Sequence, residues 1–129
     1  MKKILLLSDS HGYIDQKIIK YFDDVDEVWH AGDIGNLKVC EIILKTKPLK
    51  AVFGNIDNFE IREKFHEDLN FHCEGLKIYI THIGGYPGNY DKRVKKVIEK
   101  NRPNIFICGH SHILKVIYDK KNDLLHMNP

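Results

Sequence analysis

No disulfide framework, no basic block and no membrane-length apolar run is present in this 129-residue chain. Its three cysteines, Cys40, Cys73 and Cys108, are odd in number, form no CxxC and sit in apolar stretches. They read as core residues and fit a reducing cytoplasm. Lys and Arg never gather in a run of five, and the formal charge is only +2, so nothing demands a nucleic-acid partner. The start, MKKILLLSDSHG, has a basic head, but its apolar run (Ile4 to Ser8) is too short for a signal peptide and no small-residue cleavage site follows. No stretch is long enough to cross a bilayer. Linkers, low-complexity tracts and repeats are also missing, so residues 1–129 read as one domain. Hydrophobic content of 43% with 29% charged residues is ordinary for a globular protein.

The chain alternates strand and helix patterns. Ile4–Leu7, Glu27–Ala31, Leu49–Phe53 and Asn104–Cys108 are short apolar runs that read as buried strands. Ile14, Ile18, Tyr21 and Phe22, then Leu37, Cys40 and Leu44, then Tyr90, Val94, Val97 and Ile98 recur at helical spacing. The second of these helices stops before Pro48 and the third before Pro103. Residues 58–67 are polar and read as a short helix or loop. Leu69–Cys73 and Lys77–Thr81 flank Glu74-Gly75 as a hairpin, and Leu114–Tyr118 and Leu124–Met127 form another. The expected fold is α/β with a largely parallel buried sheet, the hairpins making it mixed or adding a second sheet packed on the first.

Seven potential metal ligands fall in five segments, each directly after an expected strand. They are Asp9 and His11 in SDSHG, Asp33 in GDIG, Asn55 in GNID, His82 in THIGG, and His110 and His112 in GHSH. In open α/β sheets ligands bind beyond the carboxyl ends of the strands, so fold and chemistry point to one rim. Carboxylate, imidazole and amide donors without thiolate favour Mn, Fe, Zn or Ni over Ca. Asp9 and Asp33 supply two negative charges, two divalent cations four positive ones, and a bridging hydroxide leaves the centre about +1, which attracts a phosphate ester. Two metals about 3.5–4 Å apart clamp a phosphoryl group and activate a water, so no Ser or Cys nucleophile is required.

These five segments, in this order, resemble those of the calcineurin-like metallophosphoesterases, most nearly the small prokaryotic YfcE-like phosphodiesterase branch. The resemblance spans essentially the whole chain. It implies a β-sandwich of two mixed sheets flanked by helices, with a dinuclear site at the strand ends. By motif, it assigns Asp9, His11 and His112 to one metal and Asn55, His82 and His110 to the other, with Asp33 bridging. Asp33, His82 and His110 are then the catalytic residues: Asp33 holds the nucleophilic hydroxide, and the two histidines stabilise the transition state. The expected cofactors are two divalent ions, Mn first, with Ni, Fe or Zn compatible. The expected activity is hydrolysis of a small phosphodiester.

Two departures from the family pattern stand out. Many members place a His after the motif Asn, where it can protonate the leaving group; here Ile56 cannot, which favours esters with good leaving groups and a diester over a monoester. Asp57 is expected to orient Asn55 or bound water. The chain stops at Asn128-Pro129, where relatives usually continue through Asn-Pro-Gly into further strand; it reads as either naturally short or cut, with a sheet edge left to pair with another chain, as in a homodimer. The rival reading is a catalytically weak protein-interaction scaffold like the retromer subunit, disfavoured because all seven ligand positions are intact. His30 reads as a packed histidine behind the ligands, and His66, His72 and His126 as surface or hairpin residues. Lys92, Arg93, Lys95 and Lys96 read as a solvated helix face, and Trp29 as core. Tyr86 and Tyr90 either shape a substrate mouth or simply pack.

Overall fold

Strand β2 (Glu27–His30) is buried on both faces, and the molecule is layered around it. In the computed structural model, which describes residues 1–129, Val28 points with Ile14, Phe22, Val39, Ile43 and Ile61 into one core, while Trp29 points with Ile78, Ile80 and Ile107 into another. Period-two alternation with two apolar faces requires a layer on each side. Strand β1 (Ile4–Leu7) and β3 (Leu49–Ala51) flank β2 in parallel, completing a three-stranded sheet. A second, five-stranded mixed sheet lies across the middle core. It has the order β4 (Asp68–Cys73), β5 (Leu76–Thr81), β8 (Ile105–Ile107), β10 (Leu124–Asn128), β9 (Lys115–Asp119), with β5, β8 and β10 parallel and the outer strands antiparallel. Between β5 and β8 a two-residue pair, β6 (Gly85–Tyr86) with β7 (Asn89–Tyr90), makes a small ribbon that the residue pattern did not announce.

Helices cover both outer faces. α1 (Gln16–Ile19) with a following 3₁₀ turn (Lys20–Asp24), α2 (Leu37–Leu44) and α3 (Phe59–Lys64) lie on the three-stranded sheet. α4 (Lys92–Asn101) packs Val94 and Ile98 on Tyr79, Phe106 and Leu124 of the other sheet. Every helix starts on an Asp or Asn side chain (Asp15, Asn36, Asn58, Asp91) that accepts from a backbone N–H of its first turn. α4 ends on Arg102 with φ of 47°, immediately before Pro103. The 90–98 periodicity thus resolves into a strand residue, Tyr90, and a helix that begins only at Lys92.

The expected β-sandwich with helices outside is what the chain forms. A three-stranded sheet is too narrow to cover a five-stranded one. β1 therefore has an open outer edge, bordered by an apolar groove of about 510 Å³ lined by Ile4, Leu6, Trp29, Ile105, Ile107 and Met127. No helix is long and apolar enough to cross a membrane.

Candidate metal centre

Loops at the carboxyl ends of β1, β2, β3, β5 and β8 meet at one rim. The first two are zipped together by backbone: Asp9 N–H donates to Gly32 O, His11 N–H to Asp33 O and Gly12 N–H to Ile34 O, at 2.7–3.0 Å. Gly109 N–H donates to His82 O at 2.9 Å, joining the loops of the other sheet. Five of the seven candidate ligands, Asp9, His11, Asp33, His110 and His112, have φ between 49° and 72°. Such left-handed non-glycine residues are strained, of order 1–3 kcal/mol each, and persist only where the surroundings dictate them. Close approach explains two glycines. A Cβ on Gly54 would lie 2.1 Å from Asp33 Oδ1, and one on Gly109 1.9 Å from Ser8 Oγ and 2.7 Å from Asp9 Oδ2.

The ligand atoms fall into two groups, Asp9 with His11 and His112, and Asp33 with His82 and His110, each within 4.8 Å. Asp9 links them. Its Oδ2 accepts from Ser8 Oγ at 2.5 Å and from His110 N–H at 3.0 Å. Burial pushes its carboxyl up, but those hydrogen bonds and the neighbouring histidines outweigh it and hold it below the usual range. Its Oδ1 is buried with no hydrogen bond, although Nε2 of His112, His82 and His11 lie 3.2, 3.7 and 3.8 Å away.

His82 is orphaned in the same way. Its Nδ1 lies 2.7 Å from Ala31 O, and since a carbonyl can only accept, Nδ1 carries the proton. In the neutral ring Nε2 then presents a lone pair, buried and unpaired, toward Asp33 Oδ2 at 3.1 Å. A lone pair facing a carboxylate is repulsive unless a proton or a metal ion lies between them. The donor set, two carboxylates and four imidazoles with Asn55 at the edge, matches borderline divalent metals. Asn55 is exposed and lines a pocket of about 200 Å³ together with His82, Arg62 and Arg93.

Behind the ligands lies a polar frame. Asp57 makes no hydrogen bond to the Asn55 side chain and acts on the backbone of the turn instead. It is buried, and its carboxylate accepts from the N–H groups of Gly54 (2.8 Å), Ile34 (3.1 Å) and Gly35 (2.7 Å), tying the GNID turn to the GDIG turn. Asp33 Oδ1 accepts from Ile56 N–H at 3.1 Å, leaving Oδ2 toward the histidines. His30 is fully buried, as a packed residue behind the site. Gly32 N–H donates to its Nδ1 at 3.1 Å, so Nε2–H donates to Ser10 Oγ at 2.9 Å, and Ser10 donates to Ile34 O at 3.1 Å. Burial lowers its pKa to about 4, keeping it neutral.

Two expectations need correction, a surface place for His126 and a core place for Cys73. His126 stands in the hairpin of β9 and β10, but not at the surface: it is 1% exposed, packed beside Phe106 and Tyr90, because β10 is interior to its sheet rather than an edge arm. Arg93 lies on the exposed face of α4 as expected, with Lys92, Lys95 and Lys96, but it is paired there. It donates to Asp68 Oδ2 at 2.5 Å and Thr81 Oγ1 at 3.1 Å, and it walls the pocket beside His82. Cys73 is only half-buried at a hairpin end, unlike Cys40 and Cys108. Tyr90 proves to be a packing residue, its hydroxyl donating to Asp119 at 2.9 Å, while Tyr86 stays exposed. Trp29 is core. Arg62 and Asn128 were missed. Asn128 donates to Gly109 O and Ser111 Oγ, bracing the GHSH turn from β10. Only knowledge of which strand adjoins that turn could have found it.

The model of the calcineurin-like phosphoesterase superfamily domain matches residues 1–129. A probable metallophosphoesterase of Methanocaldococcus jannaschii is 24% identical over 130 residues, covering 96% of this chain; the chain spans 65% of that relative's length. Among solved structures, an archaeal phosphodiesterase is 26% identical with a TM-score of 0.77, the match covering 98% of this chain and 82% of the other. Vps29 of Entamoeba histolytica, solved as a Zn²⁺ complex, shares the fold at 18% identity with a TM-score of 0.76, covering 98% and 72%.

Proposed function

This chain belongs to the calcineurin-like phosphoesterase superfamily, and from that premise we propose that it is a metal-dependent phosphodiesterase acting on a small phosphodiester through Asp9, His11, Asp33, Asn55, His82, His110 and His112. The observation that carries the reading is the buried, unpaired Nε2 of His82 aimed at Asp33. Asp9, His11 and His112 would hold one cation and Asn55, His82 and His110 the other, with Asp33 shared. When bound, two divalent ions supply a water of lowered pKa and charge for a phosphoryl oxygen to lean on. Mn is the first choice for this N/O set, with Ni, Fe and Zn compatible.

The protein's part is orientation. Ile56 N–H and the absence of a Cβ on Gly54 hold the Asp33 carboxylate with Oδ2 toward His82 and His11. Ala31 O fixes the His82 tautomer, and Ser8 with His110 N–H fixes Asp9. His110, exposed and edge-on to His82 at 5.3 Å, would be the ring that meets an entering phosphate. Ile56 is 46% exposed and offers no proton, so the leaving group must depart unaided or with a proton from solvent. That favours a diester with a good leaving group over a monoester.

A second reading is favoured by one surface. β9 and its approach expose Ile113, Leu114, Val116, Ile117 and Tyr118, an apolar edge strand suited to protein contacts. A scaffold role, or a homodimer through an open edge, would use it. We read residues 1–129 as a single, cytoplasmic domain under either reading.

The test is hydrolysis of bis-p-nitrophenyl phosphate and p-nitrophenyl phosphate by metal-stripped protein, with and without MnCl₂ or NiCl₂. The reading predicts metal-restored cleavage, faster for the diester. A folded protein that takes up two equivalents of metal yet turns over neither ester would favour the scaffold.

A further inference from the structure

Arg62 reaches out of α3 and back across the turn that precedes it, with no carboxylate near its guanidinium. Its Nε donates to Asp57 O at 2.8 Å, and its Nη2 to Asn55 O at 3.3 Å and Gly54 O at 3.4 Å. The guanidinium carbon lies 4.7 Å from the centre of the Phe53 ring. An exposed arginine carries about 2 kcal/mol of rotamer entropy, and here no ion pair offsets the cost of ordering it. What it holds is the GNID turn, from the carbonyl side. Asp57 holds the same turn from the amide side.

Two candidate ligands depend on that turn. Asn55 stands in it, on the mouth of the pocket shared with His82. Ile56 N–H, the next residue, anchors Asp33 Oδ1 at 3.1 Å. Asn55 is the one amide ligand of the set, exposed and with no hydrogen bond to its side chain from the rest of the site. Backbone position is therefore the lever by which the fold can aim it. A planar fork can serve three carbonyls of one turn, whereas a lysine ammonium is a compact point charge on a flexible stem.

We propose that Arg62 is a positioning residue for the metal position made by Asn55, His82 and His110. It fixes the backbone of the GNID turn so that the Asn55 amide oxygen meets the cation. The inference rests on the metal-dependent reading above.

Calorimetric Mn²⁺ titration of metal-stripped wild type, Arg62→Lys, Arg62→Met and Asn55→Ala tests it, with thermal melts of the metal-free proteins as the folding control. Wild type is expected to take two equivalents. Both Arg62 variants should keep one site near wild-type affinity and lose about 10–100-fold at the other, the usual effect of removing a residue that orients a ligand. Asn55→Ala should weaken the same site, and the Asn55→Ala/Arg62→Met double variant should be no worse than Asn55→Ala alone. Wild-type affinity at both sites in either Arg62 variant would overturn the proposal. So would equal losses at both sites, or additive losses in the double variant, since either marks general loosening. Wild type failing to take two equivalents would overturn the metal-centre reading and this inference together, which separates that failure from a failure of Arg62 alone.

Discussion

Opposite demands fall on the rings of His82 and His30. His82 keeps a bare nitrogen turned to the rim, whereas His30 spends both nitrogens on the backbone and side chains behind it. Burial depresses the His30 pKa to about 4 against an ordinary 6.5. Below pH 6.5 the unfolded chain therefore takes up a proton that the folded chain refuses. The contribution is fully present above pH 6.5 and is lost as pH falls toward 4, by about 3 kcal/mol. Urea unfolding between pH 7.5 and 4.5 should show that decline. Imidazole NMR should find His30 not titrating near 6.5 in the folded protein, and a normal titration would refute the assignment. At Gly54, the Ala variant must push Asp33 aside by more than its side chain can yield, since the backbone N of Asp33 is also only 2.3 Å from the added Cβ. Gly54→Ala should lower kcat for the diester at least tenfold and cost about 1–3 kcal/mol of stability, the usual range for overpacking. Near-normal turnover would contradict the close-approach argument.

At the scale of elements, the short helix α3 matters beyond its length because it carries Arg62. Asn58 caps it, Oδ1 accepting from Ile61 N–H at 3.2 Å. Asn58→Ala should lower stability by about 1 kcal/mol, read as a shift in urea midpoint with unchanged m-value. How much of this was legible follows the physics of each element. β1 was visible because both its faces pack on a core and it reads as a run of apolar residues, and the bounds of β1, β2 and β3 shift by two residues at most. The hairpin at Glu74-Gly75 was visible from its turn, although both residues, not Gly75 alone, take positive φ. The β6–β7 ribbon is two residues per arm and leaves no periodicity. His126 was legible as a hairpin residue but its burial was not, because sequence order puts β10 last, whereas its parallel pairing with β8 puts it inside the sheet. The site segments could be read because each ligand follows a strand; the left-handed backbone at five of them could not, since φ is imposed by the meeting of loops distant in sequence.

For the whole molecule, the centre is where loops from both sheets are held together, so a ligand that bridges them should stabilise the fold. At a free metal concentration of 100 times Kd, each site contributes about 2.7 kcal/mol. The melting temperature in MnCl₂ should then exceed that in EDTA by roughly 5 °C or more. No difference would mean that the loops do not close on a metal. The open edge of β1 and the apolar β9 strand act at the same scale. Sedimentation velocity should show concentration-dependent association that Ile117→Lys reduces, since a charge on an exposed edge opposes strand pairing. An unchanged monomer at every concentration would show that neither edge is sticky.

The most direct measurement is an anomalous difference map from crystals of this protein grown in MnCl₂, collected on the low-energy side and high-energy side of the Mn edge. The account predicts two peaks about 3.5–4 Å apart. One should be ringed by Asp9, His11 and His112, the other by Asn55, His82 and His110, with Asp33 touching both. A single peak, or none at this rim while the loops keep their places, would contradict it.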